Sequence, residues 1–525
     1  MGNEIGFELE EKLIQKIIGH NQLQALKIVK SDSNSDLNSD LNLSYVDPTY
    51  GNSVLIWACI TRMEKLALLL IETQKAKPEY VNKQGNTALQ IACQNGLDRV
   101  ALALIQTSVD IDQINEYGEN AFFSACQSGL DNVALALMKT NCKLGQVTNY
   151  GDTALIKLCF FERDDLALAL IKSGDANSAH VDEQGNTALI LACQNRMTEV
   201  ALALIQSGDS NLAHFNDDYE CTALHKACQN GMTEVAIALI QSGDSNPAQV
   251  YDWSMNRKTA LQIACQSGMT RVALALIQTG DSNPANVDTS NCTALHLVCQ
   301  RGMTSVALAL IQTGEANPAQ VNKRNYTALQ LACQRGMTSV ALAIIQSGES
   351  NPAHIDTSEC TALLMSCKHG KAREMDKVAL ALIQIDDSNP AQVDQYGNTA
   401  LHYACEWGMT SVALALIERG DSNLSQVNNN GSTALQLACK NYMTSVAIKL
   451  IQSGDSNPAH VNDNDLTAGT ALQMACQRGM EDVALALIQS GDSNPSYSNN
   501  NSNSALQIAN QIGMIDVVLA LNAIL

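Results

Sequence analysis

Thiols, imidazoles and carboxylates are the groups in this chain that could carry chemistry, and their spacing narrows what that chemistry is. Seventeen cysteines and nine histidines lie in 525 residues. Zinc and redox sites use thiols in close pairs, and no CxxC occurs. Instead thirteen cysteines (Cys59, Cys93, Cys126, Cys159, Cys193, Cys228, Cys265, Cys299, Cys333, Cys367, Cys405, Cys439, Cys476) stand singly, 33 to 38 residues apart. Equivalent positions in stacked layers are roughly 8–10 Å apart, beyond the ~7 Å Cα limit for a disulfide. The ladder therefore reads as small buried hydrophobes, and an intracellular, cytoplasmic setting that keeps thiols reduced is expected. Cys221, Cys292 and Cys360 lie outside the ladder and are expected to be more exposed.

The histidines give no ligand set either. His225, His296 and His402 occupy a slot that elsewhere holds Gln, three residues after a Thr. His180, His214, His354 and His460 fall one per return loop, and none makes a helical pair with a carboxylate. A phosphate-binding glycine loop, a nucleophile elbow and a carboxylate pair are all missing from the sequence. The expectation is a non-enzyme with no catalytic residue, no cofactor and no metal.

The elements that carry these residues repeat. "TALQIACQNGLDRVALALIQ" at Thr87 returns as "TALILACQNRMTEVALALIQ" at Thr187 and "TALQLACQRGMTSVALAIIQ" at Thr327. Fourteen anchors, from Ser53 to Ser504, mark the units, and a fixed period of this length means stacked modules. Each anchor is an N-cap. Gln follows three residues later at Gln90, Gln262, Gln330, Gln436, Gln473 and Gln507, which is capping-box spacing. Gly ends the first helix, and "GDSNP" ends the second with a glycine, turn formers and a proline. Residues 1–50 read as a charged capping helix pair with a Ser/Asp/Asn-rich loop, and 51–525 as a continuous array. Asn510 and Asn522 read as polar replacements on a terminal face. At roughly 8–10 Å per layer the array would span about 140 Å.

With two short helices and a long return per unit, "GNTALxxACQNGxxxVALALIQSGD" resembles the ankyrin repeat. Ala replaces the usual Pro at Ala88, and Cys a small Ala at Cys93. The "ALALIQSGDSNPAHV" dialect is similar to the large ankyrin families of giant DNA viruses. The resemblance implies an all-α solenoid of about fourteen helix-turn-helix units plus an N-terminal cap. It also implies hairpin-like tips that, with the first helices, form a concave protein-binding face.

Variation between units concentrates just before each anchor, where the tips fall, and loops on a rigid frame carry function. Aromatic residues make up only 4% of the chain, so their presence there counts. The candidate partner-binding residues are Tyr117, Tyr150, Tyr219, Tyr251, Trp253, Arg257, Tyr326 and Tyr396 at tips, with Tyr403 and Trp407 on the first-helix side. Tyr219 to Arg257 is the favoured stretch. Lys368, Lys371, Arg373 and Lys377 form a basic cluster. Leu202 and its counterparts make the second helix apolar nearly all round, which reads as packing between units or as a greasy contact stripe.

Charge limits the partners. Fifty-three acids against 32 bases give a net −21, which disfavours nucleic acid and anionic membranes and suits a basic protein partner. No apolar run is long enough to span a bilayer. The expected role is a protein–protein interaction scaffold, with unknown oligomeric state. A passive spacer and a substrate adaptor for a ubiquitin-ligase-like complex are the alternatives.

Overall fold

The computed structural model describes residues 2–33, 43, 45–74, 76–216, 220–252, 257–370, 375–462, 469–499 and 503–525. The chain divides into two compact units, Met1–Ser254 and Met255–Leu525. Both are built alike. Each anchor opens a short first helix, and a second follows after a turn, as with Ala88–Gln94 and Asp98–Ile105, or Ala328–Arg335 and Thr338–Gln346.

The first helices start where the sequence says they must. Thr327 is extended (φ −88°, ψ 163°), and its hydroxyl accepts the Gln330 amide at 3.3 Å. Gln330 Oε1 in turn accepts the Thr327 amide at 2.9 Å, closing a capping box. All six Thr/Ser–Gln pairs do this. His225, His296 and His402 use Nδ1 for the same purpose. The "GDSN" string is a helix stop. Gly208 is left-handed at φ 79°, the buried Ser210 hydroxyl donates back to the Leu204 carbonyl, and Asn211 turns the chain at φ 50°.

First helices stack on first helices and second on second along each unit. The core between them is aliphatic. Leu89, Ala92, Cys93, Val100, Ala101 and Leu104 are all fully buried, and each large side chain contributes about 1.5–3 kcal/mol. The extra apolar slot is half-buried at Leu102, Leu202, Ile237, Leu274, Leu308 and Leu414. Its counterparts Leu135 and Leu519 are 39% and 63% exposed. Asn510 and Asn522 on the Ser504 repeat are exposed. Helices Gly2–Ile18 and Gln22–Ser33 pair with each other and pack on the first repeat through Leu13, Ile17, Ala25 and Val29.

One expectation fails here. All seventeen cysteines are buried, Cys221, Cys292 and Cys360 included. These three close the hairpins rather than decorate them. The Cys292 amide donates to Asp288 Oδ1 at 2.9 Å, and its carbonyl accepts Gln262 Nε2 of the preceding repeat at 2.9 Å. Cys360 is held the same way by Asp356 and Gln330.

Among the described residues no helix is long and apolar enough to cross a membrane.

Candidate functional site

Most tips are organised by a buried Asn or Asp, and the Tyr150 tip by Thr148, whose Oγ1 accepts the Asp152 amide at 3.1 Å. Asn82 Oδ1 accepts the amides of Gln84 and Asn86, and a Val81–Thr87 bridge closes the hairpin. Successive tips are then tied together. The Glu116 amide donates to the Gln84 carbonyl at 2.9 Å, and the Asn149 amide to the Tyr117 carbonyl at 2.8 Å. Buried amides add a second rung, with Asn82 Nδ2 on Asn52 Oδ1 at 2.9 Å and Asn428 Nδ2 on Asn398 Oδ1 at 2.8 Å. Gly118 shows how close the tips come. It is left-handed at φ +78°, and a Cβ there would stand 2.8 Å from the Asn149 amide nitrogen.

The capping residues also reach forward. Gln90 Nε2 donates to the Gln113 and Glu119 carbonyls of the next repeat, at 2.8 and 2.9 Å. His402 Nε2 reaches the Ser432 carbonyl at 3.2 Å. Burial drives its pKa down from the ordinary value to about 4, so the ring stays neutral and keeps the acceptor Nδ1 that its cap requires. His180, His214, His354 and His460 reach backward, with Nε2 2.8–3.0 Å from the tip carbonyls of Gly151, Gly185, Asn325 and Gly431. Both sets of histidines are joints between repeats. Among the described residues no cluster of His, Cys, Asp or Glu could hold a metal ion. The ladder thiols are also removed from chemistry, because burial pushes Cys59, Cys228 and Cys299 up to about 12.

The rigid frame presents some of the expected aromatic residues and hides others. Tyr117 and Tyr150 sit on adjacent tips, 41% and 55% exposed, with rings stacked at 6.3 Å and 20°. Glu116, Glu119 and Glu183 surround them in sequence and tip position, and Glu116 pushes the Tyr117 phenol above its ordinary pKa. Tyr396, Trp407 and Arg257 are exposed, and Tyr326 is half-buried. Tyr251 is a correction. It is only 5% exposed, beside the His225 ring at 5.7 Å and under the Lys226 ammonium at 5.8 Å. Tyr403 is another. It is 7% exposed, and its hydroxyl donates to Asp394 Oδ2 at 2.7 Å. Both are posts inside the frame. Tyr219, Trp253, Lys371 and Arg373 lie outside the described residues. Lys368 is not an outward cation. It pairs with Asp394 at 3.3 Å and lies over the Tyr396 and Tyr403 rings.

The second unit holds a feature that the tip comparison missed. A groove of about 550 Å³ is lined by the Thr433 tip and by residues of the first helices of the Thr399, Thr433 and Thr470 repeats, with Leu437 and Met474 in its lining. Beside it Tyr442 is 61% exposed at φ 59°, in a slot that holds Gly in most repeats. Internal comparison of first-helix ends, rather than of tips, would have found Tyr442 as the aromatic residue among four that replace this glycine, with Arg62, Glu162 and Arg196.

A family model described as ankyrin repeats (3 copies) matches residues 13–115, 55–148, 122–214, 209–286, 275–355, 343–427 and 372–465. Among solved structures, the ankyrin repeat protein EF0377 is 25% identical, with a TM-score of 0.32 over 36% of this chain and 96% of that one. An ankyrin repeat domain from Acinetobacter baumannii AYE is 24% identical, with a TM-score of 0.32 over 36% and 97%. A chain from a complex of a Bdellovibrio bacteriovorus predatory endopeptidase with an immunity protein is 20% identical, with a TM-score of 0.31 over 38% and 99%. No curated protein matches the chain.

Proposed function

Because the chain belongs to the ankyrin-repeat family, we propose that it is a non-enzymatic scaffold that binds a partner protein along its tips and first helices. The observation that carries this reading is the exposed Tyr117–Tyr150 stack, fixed on two tips whose backbones are bonded to each other. A preordered aromatic pair loses little entropy on binding, and Tyr is a typical anchor of protein interfaces. The acids around it, and the net −21 of the chain, favour a partner that offers Lys or Arg to the ring faces.

The test is affinity capture from host-cell extract with the intact chain and with a Tyr117→Ala, Tyr150→Ala variant whose circular dichroism is unchanged. A protein held by the intact chain and lost by the variant supports recognition at these tips. Equal capture by both removes the tyrosine stack from the interface, and no specific capture by either favours a spacer.

A further inference from the structure

The groove in the second unit differs from the tyrosine stack in both chemistry and charge. Its walls carry exposed amides, including Asn430 and Gln477. A carboxamide carries a donor and an acceptor in the geometry of a peptide bond, so an amide wall matches an extended backbone. Three charged residues line it: Lys440 and Arg478 against Glu406. On a chain of net −21 this is a local positive excess. All three are exposed, and Lys440 makes no ion pair among the described residues.

The rim is ordered. Arg478 Nη1 donates to the Tyr442 hydroxyl at 3.1 Å, and its guanidinium lies 5.1 Å from that ring. This contact uses one of the five guanidinium N–H groups and leaves the others for a carboxylate. Tyr442 shares its left-handed backbone with Arg62, Glu162 and Arg196 in the same slot, so the turn belongs to the repeat and what is particular here is the exposed ring. The volume falls within the ~300–1,000 Å³ range of ligand sites and suits a few residues of extended chain.

From these observations we infer that the groove binds an extended peptide segment carrying a carboxylate. Asn430 and Gln477 meet its backbone, Lys440 and Arg478 take the acid, and Tyr442 packs at its edge. The inference rests on the reading of the chain as a peptide-recognising scaffold, but not on the tyrosine stack of the first unit.

The experiment uses the full chain and two fluorescent nonapeptide pools. They are identical mixtures of Gly, Ser, Thr, Ala and Leu apart from a central residue, Glu in one and Lys in the other. Fluorescence anisotropy should show the Glu pool binding at least about tenfold more tightly. Lys440→Gln combined with Arg478→Gln should abolish that preference, and Lys440→Gln alone should weaken it in the same direction. Tyr117→Ala with Tyr150→Ala should leave it intact. Melting curves establish that each variant is folded. Equal binding of the two pools, no binding of either, or a preference that survives the double glutamine variant would overturn the inference. A preference lost with the tyrosine variant would do so too, by placing the site in the first unit. Failure of the tyrosine variant to change protein capture bears only on the earlier reading.

Discussion

At the scale of single residues, the chemistry-bearing groups have been turned into structure. The buried thiols, with their pKa values driven upward by burial, should resist a thiol reagent such as dithionitrobenzoate at pH 8 in the native protein. They should react as a body on denaturation. Several thiols titrating quickly in the native state would contradict the burial. The capping histidines predict a pH effect with a definite sign. His402 has its folded pKa depressed to about 4, so between pH 6.5 and 4 the unfolded chain binds more protons. Stability is therefore unaffected above pH 6.5 and falls as pH drops through that window, by up to about 3 kcal/mol from this residue. His402→Gln keeps the cap, as Gln does in six other repeats, and should flatten urea midpoints over that window. An unchanged pH slope would show that the ring is not the titrating group. The cysteine ladder and the capping slot were both legible in the sequence, because each recurs at one register. Tyr251 and Tyr403 were not, because whether a tip or helix aromatic turns in or out depends on a Lys226 or an Asp394 far from it in any local pattern.

Helices and tips show what a repeat tells about itself and what it does not. Their starts and stops follow from anchors, glycines and "GDSN", all local signals. The ties between repeats are invisible to such reading, because a Gln looks complete once it has closed its own cap. One exception to the period is repaired across repeats. The helix Asp376–Ile383 lacks the terminal glycine, with Ile385 and Asp386 where others have Ser and Gly. Arg419 of the next repeat covers the bare carbonyls. Its Nη1 donates to Ile383 and to Ile385 at 2.7 Å, and Nη2 donates to Asp386 at 2.7 Å. Asp421 holds the guanidinium from the other side at 3.0 Å. Arg419→Ser should cost about 1–3 kcal/mol in urea denaturation, since it strips charge-assisted bonds from a helix end. Asp386→Gly in that background should recover part of the loss. No loss from the single change would make the clamp incidental.

For the whole molecule, family and architecture could be read from the period, but the partner could not, since binding depends on which side chains a uniform frame leaves outside. Contacts run between neighbouring repeats within each unit, so stability is a sum of local interfaces. Leu435 is fully buried, and Leu435→Ala should cost about 2–5 kcal/mol. Hydrogen exchange should show protection falling mainly in the Thr399, Thr433 and Thr470 repeats. A uniform drop across both units would contradict nearest-neighbour stability. The forward reach of the capping residues also gives the chain a direction in time. During synthesis at roughly 5–20 residues per second, a repeat leaves the ribosome some seconds before its successor. Until then the Gln90 side-chain amide has no carbonyls to meet, because Gln113 and Glu119 have not arrived in place. Each nascent repeat thus waits, half-finished, for the next one, and a pause in translation leaves the newest repeat as the loosest part of the growing chain.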